Sequence, residues 1–148
     1  MKDYTALLKL FSSHLEKHCA GLAEKFPREL YEPEQYILSL GGKRVRPLLA
    51  LIACDLFEKK PEVALDAALA VELFHNFSLI HDDILDAAPL RRNQATVHKK
   101  WSSNIALLSG DAMLVKSFQI LESYDARLFK ELAVLFNKTA VEDRKSVV

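Results

Sequence analysis

The chain has 148 residues and a mass of 16.7 kDa, enough for one compact domain and too little for two ordinary ones. Hydrophobic residues make up 50% and charged residues 27%, a balance that excludes disorder as the main state. Twenty Lys and Arg match twenty Asp and Glu, so no net field draws the chain to nucleic acid or an anionic membrane, and any anion binding must come from local clusters.

No uninterrupted apolar run approaches the ~18 residues that span a bilayer. The first ten residues carry charge within positions 1–3 and lack an apolar secretory segment with a small-residue cleavage site. Cys19 and Cys54 lie far apart without CxxC spacing, which reads as two buried free thiols in a reducing compartment. These features point to a soluble cytoplasmic protein.

With four glycines, five prolines and no alternating β-branched segment, strands have little support, and the class expected is all-α. A first amphipathic helix is expected over residues 4–24, where Leu7, Leu8, Phe11, Leu15, Cys19 and Leu22 recur at helical spacing. Phe26-Pro27 interrupts it. A short helix at 33–40 ends at Gly41-Gly42, where glycine can take the left-handed cap conformation. Pro47 suits the first turn of a third helix at 48–59, whose LLALIACDLF is apolar almost all round and is therefore expected to be central. From 63 to about 87 there is neither glycine nor proline, room for a helix of six or seven turns. Residues 87–94 read as a loop. Ser102 or Ser103 can cap a helix over 104–122, and a last helix runs over 126–140 before an atypical tail at 141–148.

Asp82, Asp83 and Asp86 interrupt an otherwise apolar helix, and aspartate is both a poor interior helix former and costly to bury unpaired. Asp82 and Asp86 are four apart, so they share one face about 6 Å apart along the axis. His75 lies seven residues before Asp82, and Ser78 falls between, which makes a polar stripe. Carboxylates without thiolates favour Mg²⁺ over zinc, and Mg²⁺ commonly binds one or two carboxylates together with phosphate oxygens. A solvated helix end with His75 and His81 as ordinary partners accounts for the same residues.

Lys43, Arg44 and Arg46 crowd the start of a helix, where the macrodipole is already positive. An anion there would offset the repulsion, with Arg chelating and Lys acting as a point charge. A solvated loop is the alternative. Arg91 and Arg92 form a second cationic pair one loop beyond the aspartates. Two cationic elements and one carboxylate cluster in a neutral chain fit a substrate with two anionic groups, one bound through Mg²⁺ and one by bare cations.

Taken together, GGKRVRP, FHNFSLIHDDILD, LRRNQATVHKKW and LLSGDAML resemble the trans-isoprenyl diphosphate synthases, or polyprenyl synthetases, over about residues 40–121. The resemblance implies an all-α isoprenoid-synthase bundle around a deep cavity, and a reaction joining isopentenyl diphosphate to an allylic diphosphate. It implies that Asp82 and Asp86, supported by Asp83, hold Mg²⁺ on the allylic diphosphate. It further implies that Lys43, Arg46 and His75 bind isopentenyl diphosphate, Arg91 the allylic diphosphate and Arg92 the isopentenyl diphosphate. Phe77 and Ser78, five and four residues before Asp82, match the floor that sets product length, here as in enzymes stopping at C15 or C20; Phe77 reads equally well as core. Asn93 and Ala95 depart from the glycine and proline usual in the family.

No second aspartate-rich motif follows Asp86, and the pattern stops where the family continues. The chain therefore reads as the N-terminal half of the bundle, single-domain, with impaired activity on its own and with exposed apolar helix faces that form a homo-oligomer. The alternative function is a non-catalytic remnant or regulatory subunit that binds a full-length synthase. A carboxylate-bridged di-metal bundle ranks last, because it needs ExxH pairs on facing helices.

Overall fold

A computed structural model describes residues 4–145. The order is α1 (Thr5–Leu22), α2 (Arg28–Ser39), α3 (Val45–Leu56), a 3-10 turn (Pro61–Ala64), α4 (Leu65–Leu85), β1 (Leu90–Arg91), β2 (Gln94–Ala95), α5 (Val97–Lys100), α6 (Ser103–Leu121) and α7 (Ala126–Lys145). The all-α expectation holds, apart from one hairpin of two residues per strand.

Several boundaries move for local reasons. The helix expected at 33–40 begins earlier, at Arg28, after the extended Pro27, and carries Pro33 buried within it. α3 starts two residues before Pro47, keeping that proline in the first turn, and stops at Leu56 instead of 59. There Glu58 takes φ 54° while Lys59 N donates to Cys54 O at 3.0 Å, a Schellman closure built on a non-glycine residue. The helix expected over 63–87 is split into the 3-10 turn and α4. Leu40 caps α2 and Gly41 follows at φ 77°, as expected. Ser102 is the cap of α6, accepting a hydrogen bond from Ile105 N at 3.2 Å. α7 runs on to Lys145, through most of the tail expected at 141–148; residues 146–148 lie outside the described residues.

The central helix is α4, not α3. α4 buries Ala68, Leu69, Ala70, Leu73, Phe74, Phe77 and Ile80 around most of its circumference and packs most extensively on α6, with α3 and α1 on its other sides. α3 buries only Pro47 and Leu51, and it leaves Leu49 and Leu56 exposed, with its cap residue Phe57 exposed at 79%. Apolarity all round α3 thus does not place it at the centre of the fold. The stretch Pro61–Leu85 is also long and apolar enough to cross a membrane, yet 61% of its apolar window is buried inside the fold, as a core helix requires. Cys19 and Cys54 are free, and both are half-buried instead of buried. Burial raises the Cys19 thiol pKa, with the charge of Glu34 adding to it.

α4 and α6 come close at Gly110, where an added Cβ would stand 2.6 Å from His81 Nε2. His81 fills that notch edge-on to Phe77, with ring centroids 4.8 Å apart.

Candidate functional site

The cationic turn and α4 meet in a cavity of about 500 Å³ lined by Gly42, Lys43, Arg44, Arg46, Glu72, His75 and Arg92. Three separated sequence segments therefore converge: the 41–47 turn, the middle of α4 and the hairpin tip. Arg44, one of the three cations expected to flank the helix start, turns inward. It pairs with buried Glu72 through Nη1 and donates through Nη2 to Leu38 O at 2.6 Å. Among the described residues no ion pair involves Lys43, Arg46 or Arg92, so their charge is left at the cavity.

Arg46 Nη1 lies 3.3 Å from His75 Nε2. Arginine offers only donors, so Nε2 is the acceptor and the histidine proton sits on Nδ1. Burial pushes the His75 pKa down, and the charges of Arg46, Arg92 and Arg91 push it further while Glu72 opposes them. Arg92 is likewise lowered, first by burial and then by Arg44. A cluster whose members depress one another's protonation is one that a bound anion would stabilise. It stands at the N-terminus of α3, where the macrodipole has the same sign.

The hairpin brings Arg92 here. Arg92 and Asn93 have φ of 52° and 62°, as a two-residue type I′ turn requires, and asparagine tolerates that region in place of glycine. Thr96 Oγ1 donates to Ala88 O at 2.7 Å and Tyr36 O–H to Ala95 O at 2.8 Å, fastening the open end of the hairpin.

The aspartates separate by role. Asp83 is 3% exposed, and its two carboxylate oxygens accept from Arg91 Nε at 2.7 Å and Nη2 at 2.8 Å. This bidentate pair ties the end of α4 to β1. Asp82 is half-buried, and Asp86 caps α4 in the open, four residues on. No basic residue occupies the last turn of α4, so the carboxylates there stand beside helix-end carbonyls of the same sign, a setting that favours a bound cation. Among the described residues no three potential metal ligands converge. Two carboxylates one turn apart nevertheless fit Mg²⁺, which normally completes its octahedron with water and phosphate oxygens. His75 and Asp82 are seven residues apart, about 10 Å along the helix, enough to hold two phosphate-bearing groups at once.

A second cavity of about 390 Å³ opens between α4 and α7, lined by Val71, Phe74, Ser78, Leu135 and Phe136, with Arg46 and His75 also in its wall. Ser78 faces it and donates its hydroxyl to His75 O at 2.9 Å. Phe77 does not line it. The Phe77 ring is buried and packs edge-on against Phe74, with centroids 5.5 Å apart. Glu72 and Asn76 were not singled out from the sequence. A lone glutamate among apolar helix residues, three before His75, was the available signal, since such a charge needs a buried partner.

Residues 27–143 match the polyprenyl synthetase family. The geranylgeranyl diphosphate synthase of Methanosarcina mazei is 43% identical over 78% of this chain and 36% of its own length. The short chain isoprenyl diphosphate synthase of Methanothermobacter thermautotrophicus is 33% identical over 91% and 42%. A crystal structure of a geranylgeranyl pyrophosphate synthase superposes with TM-score 0.89 and 45% identity, covering 96% of this chain and 42% of that one. The Pyrococcus horikoshii geranylgeranyl pyrophosphate synthetase gives 0.84 and 32%, over 97% and 46%. This chain thus spans less than half the length of these relatives. Residues 27–143 and the shared helical architecture place the chain in the polyprenyl synthetase family.

Proposed function

We propose that this chain carries the paired diphosphate sites of a soluble cytoplasmic prenyltransferase, which condenses isopentenyl diphosphate with an allylic diphosphate into a short-chain, C15–C20 polyprenyl diphosphate. The observation that carries the reading is the convergence of Lys43, Arg46, His75 and Arg92 on one cavity, two turns along α4 from Asp82.

In this reading Lys43, Arg46 and Arg92 hold the diphosphate of isopentenyl diphosphate, and neutral His75 orients Arg46. Asp82 and Asp86 hold Mg²⁺ together with the allylic diphosphate. When bound, Mg²⁺ supplies charge neutralisation to the departing diphosphate. Asp83 supports that site by fixing Arg91, whose Nη1 hydrogens remain for the allylic diphosphate. The cavity beside Phe74 and Phe136 shields the allylic chain from water. Ser78 borders that cavity and Phe77 backs its wall, so they limit product length from two different distances.

Calorimetric titration of an allylic diphosphate analogue, with and without Mg²⁺ and in Asp82→Asn, tests this. Mg²⁺-dependent binding that disappears in the variant is expected; binding indifferent to both removes the reading. The second reading, a non-catalytic helical subunit binding a longer synthase, draws support from the exposed apolar residues Leu49, Leu56, Phe57 and Leu135. Self-association through such faces, giving a homodimer, is expected under either reading, and light scattering checks it.

A further inference from the structure

Glu72 is 3% exposed and lines a cavity otherwise crowded with cations. A carboxylate there would oppose an incoming anion unless its charge were already matched. It is matched: Oε1 meets Arg44 Nη1 and accepts a further hydrogen bond from Asn76 Nδ2 at 3.0 Å. Asn76 is itself fully buried and also donates to Glu72 O at 2.8 Å. Glu72 is therefore held in a single position by its own helix.

What Glu72 holds in turn is a backbone conformation. Arg44 has φ 48°, in the left-handed region for which an arginine has no local preference. Its guanidinium is tied to α4 and to Leu38 O at the end of α2. The reversal at Arg44 decides how Lys43, before it, is placed relative to Arg46, after it, and both line the same cavity. The turn has little slack on its other side: a Cβ on Gly42, at φ 139°, would stand 2.8 Å from Arg92 Nη2.

We infer that Glu72, seated by Asn76, is a positioning residue for the cationic cavity: it locks Arg44 in the left-handed conformation that presents Lys43 and Arg46 to one anion. The inference rests on the reading of that cavity as a diphosphate site.

The test uses Glu72→Gln and the double variant Arg44→Asn/Glu72→Gln, with inorganic pyrophosphate as the probe. Calorimetry reads affinity and amide hydrogen exchange reads residues 41–46 without ligand. In Glu72→Gln, exchange across the turn accelerates selectively. If the competent turn is then populated about one-tenth of the time, apparent affinity falls about tenfold. The double variant removes the orphaned cation and places asparagine, which tolerates φ > 0, at position 44. Its affinity should return to within about threefold of the parent.

The inference is overturned if Glu72→Gln melts at a lower temperature yet binds with parental affinity and turn exchange, as for a purely structural ion pair. It is also overturned if the double variant recovers nothing. Should Glu72→Gln fail to fold, the double variant, free of a buried unpaired charge, decides by the same comparison with the parent. A parent that binds no pyrophosphate removes the diphosphate reading, while the exchange data still decide whether Glu72 holds the turn.

Discussion

Asp83→Asn is the substitution that separates the aspartates of the DDILD segment. Removing one partner of a buried ion pair costs about 3–5 kcal/mol, because the other charge stays behind. Here the Arg91 side chain is 25% exposed and Asp83 only 4%, so the orphaned guanidinium can turn toward water. Asparagine also keeps one acceptor for it. These two facts lower the expected loss to about 2–3 kcal/mol. At about 2–4 °C per kcal/mol for a chain near this size, the melting temperature should fall about 4–12 °C. Asp86→Asn is the control: Asp86 is exposed and makes no side-chain hydrogen bond among the described residues, so its change should stay within about 0.5 kcal/mol. Urea and thermal unfolding followed by circular dichroism give both numbers. Exchange across residues 89–97 should rise in Asp83→Asn alone, since the pair ties α4 to β1. Equal stability of the two variants would refute the assignment of Asp83 to the scaffold and not to the cation face.

Gly110→Ala forces a methyl group against His81 Nε2 and should destabilise by about 1–3 kcal/mol. In a His81→Ala background the same change should cost much less, and additive losses in the double-mutant cycle would show that the notch is not the reason. Ser102→Ala removes the side-chain cap of α6 and should cost about 1 kcal/mol by urea unfolding, with binding unaffected. His75 is held below its usual pKa in the fold, so the unfolded state takes up a proton first as the pH drops. Stability should therefore decline as pH falls below about 6.5 and level off below the folded-state value. His75→Gln should show a smaller decline over that window, and NMR titration should find the His75 midpoint below that of an exposed imidazole. Pyrophosphate bound at the cavity should raise the midpoint; a midpoint unmoved by saturating pyrophosphate would mean that the anion does not sit there.

Helix content, most breakpoints and the chemical character of both charged clusters were legible in the sequence, because they depend on residues near one another along the chain. The 3.6-residue apolar period, Gly41 after α2, Pro47 in the first turn of α3 and Ser102 before α6 each act within a few positions. The hairpin is not legible for the converse reason: Arg92-Asn93 is a weak turn signal, and the hairpin is held by Tyr36, 59 residues before Ala95, and by Thr96 on Ala88 O.

Helical periodicity, the cations near residues 43–46 and 91–92, and the carboxylates at 82–86 are all properties of short stretches of chain. Which of those charges remain unmatched at a cavity depends instead on long-range packing. Lys43, Arg44 and Arg46 all line the cavity, but the charge of Arg44 is matched there by Glu72, 28 residues away, while among the described residues no ion pair involves Lys43 or Arg46. Of three aspartates, Asp83 is paired by Arg91 of β1. The same packing makes α4, and not the equally apolar α3, the central helix. Local pattern shows that a charge needs a partner or that a helix needs burial, but the identity of the partner depends on which segments the folded chain brings within a few ångströms.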